Sequence, residues 1–236
     1  MSLRNMGRLL LSRVGCDCPL CGARVAGARL CPGCEADILA WEPGAPPRCP
    51  CCALRLPPGA PCCPACLGVP RPFARTVAAF DYEPPADALV LMLKAQRRLS
   101  MAPVLARLIA AAVARDGPLP AGTLLVPIPA GRVSLRRRGM NPAAEIARGL
   151  AAELGLPLAR GMLLRRREAP RQTGRSRRAR QRGAVGLFSC RGAVLGRHVA
   201  VVDDVMTTGS TADAAAGALL AAGAAGVTVL VAARTP

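Results

Sequence analysis

The most constraining feature of this sequence is a doubled spacing of cysteines. Cys18-x-x-Cys21 and, nine residues on, Cys31-x-x-Cys34 are followed by Cys49-x-x-Cys52 and, ten residues on, Cys63-x-x-Cys66. Eleven of the twelve cysteines lie in the first 66 residues, which marks that stretch as a module of its own. Two Cys-x-x-Cys knuckles brought together supply four thiolates, the donor set that closes a tetrahedral zinc site. A segment so small and so poor in aromatics buries too little apolar surface to hold itself, and bound metal supplies the missing folding free energy. The spacing therefore predicts a double zinc ribbon over residues 1–70, with structural zinc in one or both units. Its ligands are Cys18, Cys21, Cys31 and Cys34, then Cys49, Cys52, Cys63 and Cys66. Cys16, Cys51 and Cys62 adjoin these sets, and spacing leaves open whether they substitute, whether ligands interleave between units, or whether the pairs are redox-active instead. A site closed by four thiolates offers no position to a substrate, so the module is expected to be scaffold or docking surface.

A disulfide framework would need export. Residues 1–15 hold only Leu9, Leu10 and Leu11 as an apolar run between arginines, too short for a secretion signal. A reducing, cytoplasmic location follows as the expectation. The chain is 52 % hydrophobic but only 2 % aromatic, so its core must be built from Leu, Val and Ala. Its net charge is +18, carried almost wholly by arginine, with Lys94 the single lysine. The first 70 residues carry only +3 of that, and residues 71–236 the rest. A basic surface of this size favours phosphate-rich partners.

Beyond residue 70 the hydrophobic period alternates. Residues 73–82 suit a strand, 86–94 and 103–115 helices, 123–128 a buried strand, 141–154 a helix closed by Gly155, and 158–164 a strand. Order returns at 184–190, and then 198–202 reads as a strand, 211–222 as a helix and 227–231 as the last strand. Strands alternating with helices imply an α/β domain with a mainly parallel sheet over residues 71–236. Residues 214–233 are uncharged over twenty positions, but the Ala/Gly half, the break from Gly223 to Gly226 and the β-branched run after it read as helix, turn and strand. No membrane insertion is expected. Residues 165–182, with nine arginines and no apolar period, read as a flexible basic loop.

The most specific motif is VVDDVMTTGST, residues 201–211. An apolar strand ends in two acids, then a Thr/Gly/Ser loop opens a helix. Backbone N–H groups and hydroxyls at such a helix start cradle a phosphate, and carboxylates at the carboxyl end of a parallel strand accept hydrogen bonds from sugar hydroxyls.

This motif resembles the phosphoribosyl-pyrophosphate signature of type I phosphoribosyltransferases, and the whole chain resembles the ComF family. The supporting matches are the paired cysteine units, LMLK at 91–94, VPIP at 126–129, RRRGMNPA at 137–144, and Gln172 through Arg180 in the basic loop. The resemblance implies a type I phosphoribosyltransferase sheet binding phosphoribosyl pyrophosphate with magnesium. It makes Asp203 and Asp204 the catalytic carboxylates on the ribose hydroxyls, and puts the 5′-phosphate on Thr207, Thr208, Gly209, Ser210 and Thr211. Pyrophosphate falls between Pro129 and Gly139, within reach of Arg132, Arg136 and Arg138, and the flexible loop with Arg165, Arg167, Gln172 and Arg180 takes the place of a lid. Met140, Pro142 and Gly183 depart from the family pattern, which usually has Phe, Gln and Asn there. Two functions are implied. One is transfer of phosphoribosyl to an unknown nucleophile. The other is a single-stranded DNA-binding protein of competence and DNA uptake that only senses phosphoribosyl pyrophosphate, with other competence proteins as partners.

Overall fold

The computed structural model describes residues 14–39, 47–166 and 186–236. In the first cysteine unit β1 (Gly15–Asp17) pairs antiparallel with β2 (Arg24–Ala26), and α1 (Pro32–Leu39) follows. After the second unit come β3 (Arg75–Asp81), α2 (Asp87–Lys94), α3 (Met101–Asp116), β4 (Leu124–Pro127), α4 (Arg132–Arg138) and α5 (Pro142–Leu154). The chain then makes β5 (Leu163–Arg165), β6 (Phe188–Cys190), β7 (His198–Met206), α6 (Ser210–Ala221) and β8 (Gly226–Arg234). Strands β3, β8, β7 and β4, in that order, form one sheet that is parallel throughout. The fold is α/β, preceded by a cysteine-rich module.

The runs HVAVV and VTVLVAA are apolar on both sides, and such strands are stable only when both faces of the sheet are covered. Ala200, Val202, Leu230 and Ala232 pack toward α2, α3 and α5, whereas Val199, Val201, Val229 and Val231 pack toward α6 and the β5–β6 ribbon. The core is aliphatic as expected, with Leu89, Leu93, Leu105, Leu108, Leu125, Leu150 and Leu219 among its largest fully buried side chains. Helices α3 and α5 meet closely because Gly149 has no side chain: a Cβ there would lie 2.8 Å from the Cβ of Ala106. Helix α5 ends at Gly155 in the left-handed conformation, φ 65°, as the sequence led one to expect. Residues 214–233 are the end of α6, a turn and most of β8, and among the described residues no helix is long and apolar enough to cross a membrane.

Two readings change. The strand expected over 158–164 is a single bridge from Leu158 to Leu125, then the short β5, which takes in Arg165. Gly161, at φ 78°, turns the chain between them, so Arg165 belongs to a paired strand and not to a loop. Residues 132–138, read only as an anion-binding segment, form α4. Arg167, Gln172 and Arg180, with most of the basic loop, lie outside the described residues, as do residues 1–13.

The two cysteine units sit against opposite faces of the sheet. The first joins the α2–α3–α5 side through Cys18 and Leu30, and Arg107 of α3 donates to the Ala28 carbonyl at 2.8 Å. The second is packed into the α6 side, where Cys49, Cys52, Leu56, Cys63 and Cys66 share a buried cluster with Phe73, Ala78, Met206 and Ala212. At the carboxyl end of β3, Arg48 of the second unit donates to both oxygens of buried Asp81 at 2.7 and 2.6 Å, and Arg55 reaches the same carboxylate at 2.5 Å.

Candidate functional site

All four sheet strands end on one edge, where open parallel sheets bind their ligands. Strand β7 delivers Asp203 and Asp204 there. Asp204 is buried and Asp203 half-buried, and each turns back on the chain: the Asp204 N–H donates to Asp203 Oδ1 at 2.9 Å, and the Val205 N–H to Asp204 Oδ1 at 2.7 Å. Burial, then the neighbouring Asp204 carboxylate, push the Asp203 pKa up to about 8. Near neutral pH Asp203 therefore keeps its proton and can donate as well as accept.

Lys94 closes the other side of the pair. Helix α2 buries Leu89, Val90 and Leu93, and that anchoring carries its last residue to the carboxylates, with Nζ 2.9 Å from Asp204 Oδ1. The sequence marks Lys94 as the single lysine and the end of LMLK, and the ion pair gives that solitary lysine its place beside the acids.

Beyond Met206 the chain turns through Thr207 and Thr208 to Gly209, whose φ of 81° is the left-handed conformation that favours glycine, and α6 begins at Ser210. Thr208 Oγ1 lies 3.2 Å from Ser210 Oγ and accepts from the Ser210 N–H at 3.4 Å. Asp203, Met206, Thr207, Gly209, Ser210 and Thr211 line a cavity of about 30 Å³, with the first N–H groups of α6 and their share of the helix dipole at its rim. The motif residues are thus gathered at one place, with hydroxyl, N–H and carboxyl groups side by side.

The segment from Pro129 to Asn141 is fastened at three points beside this edge. Asn141 Nδ2 donates to the Ile128 carbonyl at 2.9 Å, Arg165 to that of Pro129 at 3.3 Å, and Arg97 to that of Arg137 at 2.7 Å. Arg165 also lies over the Phe188 ring, 5.5 Å from its centroid. Within α4, Arg132 and Arg136 are one turn apart on a common, exposed face, while Arg138, half-buried, lies on another. His198, the only histidine, is five residues from Asp203, roughly 17 Å along β7. Its Nε2 lies 2.9 Å from Thr228 Oγ1, and burial and Arg75 lower its pKa.

In each cysteine unit four sulfur atoms converge: Cys18, Cys21, Cys31 and Cys34 in the first, Cys49, Cys52, Cys63 and Cys66 in the second, all within 4.8 Å of one another in each set. A tetrahedron of Zn–S bonds has edges of about 3.8 Å, so both sets fit the ion and fit a double zinc ribbon. The sulfur sets that converge are consecutive in the chain, not interleaved. Burial would raise the Cys18 pKa, but the N–H groups of Cys21, Cys31 and Leu20 outweigh it and bring it to about 6; at Cys49 those of Cys63, Cys52 and Cys51 do the same. Cys62 stands beside the second set, its sulfur 3.6 Å from that of Cys49.

No family model matches the chain. Curated relatives do. DNA utilization protein YhgH of Salmonella typhi is 38 % identical over 190 residues, covering 79 % of this chain and 84 % of that protein. YhgH of Escherichia coli strain K12 is 35 % identical with the same coverage. Competence protein F of Haemophilus influenzae is 29 % identical over 193 residues, covering 79 % of this chain and 82 % of its own length. The chain belongs to the ComF family. What it shares with these ComF relatives covers most of their length, so the family assignment is not confined to one motif.

Proposed function

We propose that this ComF protein binds phosphoribosyl pyrophosphate with magnesium at the carboxyl edge of its sheet and transfers phosphoribosyl to a nucleophile, in the service of DNA utilisation. The observation that carries the reading is one small cavity lined by Asp203 together with Thr207, Gly209, Ser210 and Thr211, with Asp204 the next residue along β7. A phosphate sits on that loop by charge and dipole, and a ribose diol needs neighbouring groups that both donate and accept, which a protonated Asp203 beside Asp204 supplies. In transfer, a bond forms from the nucleophile to the anomeric carbon as the carbon–oxygen bond to pyrophosphate breaks. The electron pair leaves with pyrophosphate, and the nucleophile gives up its proton. Lys94, Arg132, Arg136 and Arg138 are the cations assigned to the leaving group, acting by position and charge. Magnesium, bound chiefly through substrate oxygens and water, supplies neutralising charge to the same oxygens.

In this reading residues 1–70 are a double zinc ribbon with both centres filled, residues 71–236 the phosphoribosyltransferase-like domain, and the setting is the reducing cytoplasm. The relatives' names, DNA utilization and competence, support a DNA-linked role, and the Arg-rich stretch around 165–182 is the segment best suited to a phosphate backbone. Pyrophosphate release from phosphoribosyl pyrophosphate, followed with candidate nucleophiles, tests the reading. Asp204→Asn should abolish release and leave the fold intact. Unchanged release would sink the assignment, and binding without any release in the parent protein would favour the sensing function over transfer.

A further inference from the structure

The second cysteine centre is wired to the phosphate loop. Arg71, five residues after Cys66, is 5 % exposed and belongs to no motif. Its Nη1 lies 3.2 Å from both oxygens of Asp213, in the first turn of α6, and its Nη2 donates to the Thr208 carbonyl at 3.2 Å. The guanidinium lies over the Phe73 ring at 5.6 Å. Phe73 lies in the same buried cluster as Cys49, Cys52, Cys63 and Cys66, so the arginine that holds the helix start and the loop backbone is packed against the second cysteine centre.

Three further observations point the same way. A Cβ on Gly209 would collide with Arg71 Nη1, so the loop glycine makes room for this side chain. Arg234, buried at the end of β8, donates to the Cys52 carbonyl at 2.9 Å and to the Met206 carbonyl at 3.2 Å, which ties the foot of the loop to the same centre. The four thiols of the second centre share their buried cluster with Met206 and Ala212, on either side of the loop.

We infer that Arg71 is a positioning residue through which metal occupancy of the second cysteine centre sets the conformation of the 207–211 loop and hence its affinity for a phosphorylated ligand. The inference rests on the phosphate site proposed above. It makes the two events reciprocal: metal in the second centre strengthens ligand binding, and ligand raises the equilibrium affinity of that centre for metal by the same factor, roughly tenfold. The first centre, on the other face, takes no part.

The full-length protein with both centres loaded with ¹¹³Cd tests this by NMR, in wild type, Arg71→Gln and Arg71→Lys. Without ligand, Arg71→Gln should move the second-centre resonance, leave the first in place and speed amide exchange across 207–213; resonances and exchange both unchanged would overturn the inference. Phosphoribosyl pyrophosphate with magnesium should move only the second-centre signal in wild type and move neither in Arg71→Gln, which should bind about tenfold more weakly. Arg71→Lys keeps the charge toward Asp213 but loses the second donor to Thr208. It should keep the melting temperature and lose the ligand-induced shift, and a retained shift would overturn the role of the guanidinium. Ligand that binds wild type tightly without moving either signal overturns the coupling. Absence of binding to wild type overturns the phosphate site instead, and the ligand-free arm still decides the coupling.

Discussion

The two cysteine units have nearly the same spacing and opposite circumstances. In the first, Cys18 is buried, Cys21 exposed, and Cys31 and Cys34 partly covered; in the second all four are buried. The ion pair of the first unit, Arg24 with Asp17, has side chains 86 % and 66 % exposed, whereas Asp81, which holds Arg48 and Arg55 of the second, is 4 % exposed. The first unit leans on α3, far along the chain from the motif residues, and the second reaches the loop that follows β7 through Arg71 and Arg234. A repeat in sequence thus yields an outer module and an inner one, because what each unit packs against decides what its metal centre supports.

The sharpest way to break this comparison is to remove one ligand from each centre. Cys63→Ser should lower the melting temperature by more than about 10 °C or abolish soluble expression, since the centre's free energy is folding free energy for the α6 face. Cys21→Ser should release one metal ion and cost only a few degrees. Equal losses in thermal unfolding with a zinc assay would contradict the inner and outer assignment. Next in size are the ion pairs. Asp81→Asn should cost about 3 kcal/mol by removing the buried carboxylate charge that Arg48 and Arg55 share, and Asp17→Asn less than about 0.5 kcal/mol, both read from chemical denaturation.

A smaller effect follows from Asp203. Its folded pKa of about 8 lies above the ordinary 3.8, so the folded state holds a proton that the unfolded chain gives up. That contribution to stability is complete below about pH 4 and is lost as pH rises to 8 and beyond. Asp203→Asn should therefore raise the melting temperature by a few degrees at pH 8.5 and change nothing at pH 4. A gain independent of pH would show that the carboxyl is not held protonated.

Much of this was legible because particular runs of residues allow few alternatives. HVAVV leading into two acids is a buried strand reaching an edge, and GVTVLVAAR its neighbour. Strict Cys-x-x-Cys spacing brought the right sulfur atoms together in each unit. Helix α4 was not legible, since RVSLRRR has no apolar face to bury and forms between Gly131 and Gly139 on the strength of contacts made to its ends. Strand β5 was displaced because its pairing with β6 is made across a long insertion. The partnership of Lys94 with Asp204 spans more than a hundred residues, and that of Arg71 with Asp213 still more. No local pattern announces either, although a lone lysine and an arginine five residues after the last cysteine pair were there to be asked about.

The measurement that bears most directly on the central claim is a calorimetric titration of phosphoribosyl pyrophosphate into the zinc-loaded protein, with and without magnesium, beside Asp203→Ala. The account predicts one-to-one, magnesium-dependent binding that is lost in the variant while its fold and zinc content are retained. Heats no greater than dilution in the parent protein, or binding indifferent to Asp203, would contradict it.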